Sequence, residues 1–162
     1  MFFKRNVGLG NKLDDKYGRL YVLKIILKNG QIVHKVGMCK SSRSIDRMME
    51  IVYSFFKVYR YIPHTELRRD KKVLVPLQVE QHIHRLLKDY KYVFDKKFGG
   101  STEFFIDLDE EVLLDYLDNF KYIDLLEGKT SLDSTIYNNI KDAIEEAKGN
   151  SLPTGKQDKL PF

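Results

Sequence analysis

Cysteine is nearly missing from this 162-residue chain: Cys39 stands alone, so no disulfide can form within it. A lone thiol suits a reducing compartment, and the cytoplasm is the expected location. CxxC pairs are absent and only four histidines are scattered along the chain, which argues against a structural zinc site. Long apolar runs are missing too: no stretch approaches the roughly 20 residues that a bilayer-spanning helix needs. The opening MFFKRNVGLGNK carries charge where a signal peptide has its apolar region. No membrane partner is therefore expected. The absence of tryptophan and the four prolines exclude nothing.

Hydrophobic residues make up 43% of the chain and aromatics 12%, enough to build the core of one domain with a small appendage. Charge is divided unevenly. Residues 1–100 hold 22 Lys and Arg against 9 Asp and Glu, while residues 101–162 hold 6 against 14. The net +5 thus conceals a basic body and an acidic end. Clustered Lys and Arg attract polyanions, because displacing counterions from phosphates rewards each contact. A solvated lysine-rich surface would give the same balance.

Residues 1–17 show no period and read as an arm. Arg19 to Leu27 is β-rich, Asn29-Gly30 is a strong hairpin signal, and Ile32 to Val36 returns as a second strand. Ile45, Met48, Met49, Val52, Phe55 and Phe56 fall on one helical face over 44–57, with Ser44 as the cap and Met48-Met49 in the core. The stretch between Pro63 and Pro76 reads as a basic loop, with Val73 to Val75 as a short strand. A second helix is expected over Val79 to Lys91, with Glu80 and His84 on one shoulder. They make an exposed pair or two metal ligands, with no third ligand nearby. A third strand is expected over Thr102 to Ile106, then a helix opening at Asp107 or Asp109, and a last helix from Asp133 to Lys148. Residues 149–162 read as a tail. The fold class is α+β: a small, mainly antiparallel sheet of about three strands flanked by helices.

Several stretches recur in a telling order. Leu20-Tyr21 opens the hairpin, and Lys35-Val36-Gly37 is followed by Arg47 on a helix. Glu80 lies on a later helix, before Gly99-Gly100-Ser101-Thr102-Glu103-Phe104-Phe105. Over residues 18–106 this arrangement resembles the GIY-YIG nuclease superfamily, in its phage-associated branch with a KIG-type second motif. The resemblance implies a nuclease module over 18–107 and a C-terminal helical extension over 108–148. It implies an endonuclease or nickase that hydrolyses DNA with one divalent cation, Mg2+ or Mn2+, acting in the host cytoplasm if phage-encoded. Glu80 matches the metal-binding carboxylate, Arg47 the arginine that stabilises the pentacoordinate phosphate, and Tyr21 the tyrosine that places the water. Lys35 takes the second tyrosine's position. Lys40, Arg43, Arg68, Arg69, Lys71 and Lys72 are the expected phosphate contacts.

Magnesium tolerates so thin a protein cage because it keeps its waters, and a planar guanidinium suits two phosphate oxygens. The chain departs from the family where Arg19-Leu20-Tyr21 replaces Gly-Ile-Tyr and where Thr102 and Glu103 stand in place of an asparagine. The family's variable His or Tyr after the arginine helix could be Tyr59, Tyr61 or His64. An alternative is a catalytically inactive relative that binds nucleic acid or protein. The C-terminal helices are expected to engage a protein partner, form a homodimer, or shield the basic face until DNA arrives.

Register offers an internal check. A two-residue Asn29-Gly30 turn puts Tyr21 and Lys35 on opposite faces and makes His34 the neighbour of Tyr21. A three-residue loop with a glycine bulge, pairing Lys28 with Ile32, brings Tyr21 and Lys35 together. The mechanism requires the second form.

Overall fold

Strands β1 (Tyr17–Ile26) and β2 (Ile32–Cys39) form the expected antiparallel hairpin. They belong to a computed structural model that describes residues 17–40, 42–126 and 134–150; nearly all of the expected arm and tail lie outside these residues. The hairpin loop is Lys28 to Gly30. Leu27 N–H donates to the Gln31 carbonyl and Gly30 N–H to the Leu27 carbonyl, each at 2.8 Å. Gly30 takes φ 91°, where a side chain would be strained. The glycine-bulged loop is therefore the form adopted, but one step earlier than the expected Lys28–Ile32 pairing: Ile26 faces Ile32, Leu23 faces Lys35 and Tyr21 faces Gly37. A shift of two residues preserves the side-chain faces. Tyr21 and Lys35 share one.

The basic stretch read as a loop is instead β3 (His64–Leu74), antiparallel to β1 on the sheet's outer edge. Its charge hid it. An edge strand needs no apolar alternation, and lysines on such an edge discourage pairing with other chains. A bulge at Arg68 interrupts the ladder, since Val22 pairs with Arg69 and Leu23 with Leu67. With β4 (Lys91–Tyr92) and β5 (Phe104–Ile106), the sheet has five antiparallel strands rather than about three, in the order β3-β1-β2-β5-β4.

Helix α1 (Ser44–Tyr59) packs against the face that carries Tyr21, Leu23 and Ile25. It is turned relative to the expected face. Ser44, Ile51 and Phe55 are buried, Met48 is half-buried and Met49 is 57% exposed, so Met49 is no core residue. Aromatic packing sets the rotation: Phe55 stacks on Tyr59 at 4.6 Å and meets the edge of Phe98 at 5.2 Å. Ser44 is not the cap either. Arg43 occupies that position without a side-chain cap, and Ser44 Oγ donates to Asp70 at 2.7 Å.

Helix α2 (Pro76–Leu86) starts three residues earlier than expected and gives way to a 3-10 turn over Lys88–Tyr90. Val75, just before it, holds φ 42°, a costly conformation for a β-branched residue preceding proline. Helix α3 (Glu110–Asp118) opens as expected at Asp109, whose side chain accepts from Val112 N–H at 3.3 Å. Helix α4 is Ser134–Asn150. Leu113, Tyr116 and Leu117 of α3, with Ile140 and Ala143 of α4, share a core with Leu20, Val22 and Val36 of the sheet and Val79 and Ile83 of α2. The C-terminal helices thus cover the face opposite α1. Among the described residues no helix is long and apolar enough to cross a membrane.

Candidate functional site

Tyr21 is 1% exposed at the centre of β1. Its ring lies over Gly37 of β2: a methyl group there would meet Tyr21 Oη at 2.5 Å and Cζ at 2.6 Å. The glycine of Lys35-Val36-Gly37 is thus the floor on which the tyrosine lies. Burial drives the Tyr21 phenol well above its usual pKa, while Arg47 pulls it down through charge and a hydrogen bond to the phenol oxygen. Arg47 also donates to Glu50 at 2.9 Å and keeps 36% of its side chain exposed. It lies at the border of the buried face of α1, between the phenol and solvent.

Lys35 has no exposed surface. Its Nζ donates to Glu103 Oε1 at 2.6 Å and to the Gly100 carbonyl at 3.1 Å. Burial lowers its pKa, and Glu103 opposes that shift. The paired glycines now have a physical reason. Gly100 holds φ 87°, and a methyl group on Gly99 would stand 3.1 Å from Ser54 of α1. Both let the turn tuck against that helix and offer its carbonyl to Lys35.

Glu80 comes from the other side of the sheet. β5 pairs only with Val33, His34 and Lys35, so the later half of β2 has an open edge there. Helix α2 covers it. Glu80 accepts a hydrogen bond from the backbone N–H of Met38, and His84 Nε2 contacts the Val36 carbonyl at 2.6 Å. The carbonyl only accepts, so the His84 Nε2 must carry the proton. The two residues, one turn apart, thus do for β2 what another strand would do. Burial raises the Glu80 carboxyl to about 7, with the negative charge of Glu103 adding to the rise and Lys35 and Arg47 opposing it. Burial pushes His84 the other way, below its usual value.

The four residues expected from the sequence to be catalytic therefore meet. Tyr21 and Lys35 share a sheet face, Arg47 reaches them from α1, and Glu80 reaches them from α2 across the open edge. Sequence reasoning missed Glu103. It was quoted within the Gly99-to-Phe105 segment, yet the register that pairs Lys35 with Phe104 is what brings it to the lysine. Tyr59, Tyr61 and His64 are engaged elsewhere: Tyr59 donates to Asp95 at 2.6 Å, Tyr61 accepts from Lys28 N–H at 3.0 Å, and His64 contacts Glu66 at 2.6 Å. His34 lies on the opposite face against Glu110 at 2.9 Å.

The six expected phosphate contacts separate into two groups. Lys40, Arg43 and Lys72 line an open cleft beside the cluster. Arg68, Arg69 and Lys71 are tied to α3: Arg68 to Glu110 at 2.8 Å, Arg69 to Asp118 at 2.8 Å, and Lys71 to the Leu117 carbonyl at 2.6 Å.

Among the described residues no group of three or more His, Cys, Asp or Glu could hold a metal ion. Glu80 fits a hard cation that keeps most of its waters. Glu80 is 7% exposed, and its carboxylate feels the negative charge of Glu103, a repulsion that a divalent charge relieves.

Residues 18–121 match the family model of the T5orf172 domain, a phage-associated, nuclease-like domain. No curated protein and no solved structure shows a significant match.

Proposed function

Because the chain belongs to the T5orf172 domain family, we propose that it is a metal-dependent DNA endonuclease or nickase of GIY-YIG type. The convergence of Tyr21, Lys35, Arg47 and Glu80, from two strands and two helices, carries this reading. Water attacks phosphorus, the P–O3′ bond breaks, and the departing oxygen takes a proton, leaving a 5′-phosphate and a 3′-hydroxyl. Glu80 would hold Mg2+ or Mn2+, which when bound supplies charge compensation to the phosphate.

Arg47 clamps the phosphate, its guanidinium being partly exposed and able to hold two oxygens at once. Tyr21, held protonated by burial, is a fixed hydrogen-bonding group that orients the attacking water. Lys35 adds a positive charge that Glu103 and the Gly100 carbonyl hold rigidly, so little reorganisation is needed as charge develops.

Supercoiled plasmid with magnesium or manganese tests the proposal, beside EDTA and Glu80→Ala controls. Nicking or linearisation lost in both controls is the expected outcome. DNA binding without cleavage would favour an inactive binding module, and cleavage by clean Glu80→Ala protein would put the metal elsewhere.

A further inference from the structure

We propose that the cleft between β1, β3 and the start of α1 seats the DNA phosphate next to the one that is cut. This inference rests on the nuclease reading and assigns its substrate track. The cleft holds about 800 Å³ and is lined by Arg19, Lys40, Arg43, Ser42, Asp70 and Lys72, among others. Four of those six side chains are cationic and only Asp70 is acidic.

The cleft adjoins the catalytic cluster. Asp70 is the β3 partner of Tyr21, and Lys72 is the partner of Arg19. Arg19 stands two residues from Tyr21 on the same strand face, about 7 Å along the strand. Neighbouring phosphates on one DNA strand are spaced by a distance of that order.

Asp70 keeps the cleft ready for an anion. Its Oδ1 accepts from Arg19 Nε at 2.8 Å and from Ser44 Oγ at 2.7 Å. Arg19 is thereby held at the cleft wall, and its pairing with Asp70 is one-third exposed, weak enough for a phosphate to compete with it. Lys72 lies over the Tyr17 ring at 4.5 Å, which aims its long side chain along the same wall. On the other face Arg68 and Arg69 are spent on acids of α3. Arg19 and Arg43 of the cleft have solvent-facing acid partners too, Asp70 and Asp46, so what sets this face apart is position: its strand cations lie on the face of Tyr21, beside the cluster.

The test is binding of a fluorescein-labelled DNA duplex by anisotropy in EDTA, where no cleavage occurs, across a salt series. The proteins are wild type, Arg19→Gln with Lys72→Gln, and Arg68→Gln with Arg69→Gln. The expected result is about a tenfold loss for the cleft variant, with the salt slope reduced by about two, and a change under twofold for the other pair. Circular dichroism confirms that each variant is folded. Wild-type affinity in the cleft variant, or a greater loss in the Arg68 and Arg69 variant, would overturn the proposal and leave the nuclease reading intact. Failure of wild type to bind DNA at any salt would overturn both.

Discussion

Glu80 carries opposing demands in one side chain. It is buried, and in the metal-free protein its carboxyl is raised to about 7. The folded state therefore holds this proton more tightly than the unfolded chain, where the value is 4.5. The cost to stability is absent below the unfolded value, grows between the two, and is full above about pH 7. Glu80→Gln keeps an acceptor for Met38 N–H and removes the charge. In EDTA at pH 8 it should be more stable by about 1–2 kcal/mol, a gain that vanishes near pH 4.5 and is read from urea midpoints. The same variant should not cleave DNA. Gly37 gives a second residue-scale outcome. Gly37→Ala sets a methyl group within 3 Å of the Tyr21 ring, so the ring must move. The expected loss of cleavage is about 100-fold, in a protein whose circular dichroism is unchanged. Wild-type cleavage would mean that the position of Tyr21 does not matter.

At the scale of elements, the helices and the hairpin were legible because periodicity and turn chemistry act locally. What was not legible depends on partners distant in sequence. β3 looked like a loop because its residues are mostly charged and show no apolar alternation, and only its pairing with β1 makes it a strand. The rotation of α1 followed from Phe94 and Phe98, about forty residues downstream of Phe55, which no helical-face count could include. That rotation has a measurable consequence. Ile51→Ala should cost about 2–4 kcal/mol through lost burial and a cavity. Met49→Lys, on an exposed side chain, should stay within about 0.5 kcal/mol. Equal costs would return Met49 to the core. The four candidate site residues were legible as a motif, whereas Glu103 became apparent only through strand register.

For the whole molecule, the division between a basic body and an acidic end has a structural meaning. Glu110 and Asp118 pair with Arg68 and Arg69 on the sheet face away from Tyr21, so these two acids of α3 tie layers together and lie away from the cleft beside β1. Deleting residues 108–162 removes Leu113, Leu117 and Ile140 from the core they share with Leu20 and Val22. The truncated chain should lose its cooperative thermal transition, as differential scanning calorimetry would show. A folded truncation with tighter DNA binding would support the expectation that the acidic end shields the basic face. Glu110→Gln with Asp118→Asn tests charge alone and should leave DNA affinity within twofold.

The three-residue hairpin loop constrains how such a chain can diverge. Arg19, Tyr21, Lys35 and Gly37 all occupy odd positions on two paired strands. Gaining or losing one residue in the loop would re-pair the strands so that either Tyr21 or Lys35 turns its back on the other. Descendants can therefore lengthen or shorten this turn by two residues more readily than by one. A relative with a single-residue indel there would keep every motif in its sequence and still present the wrong side chains to the site.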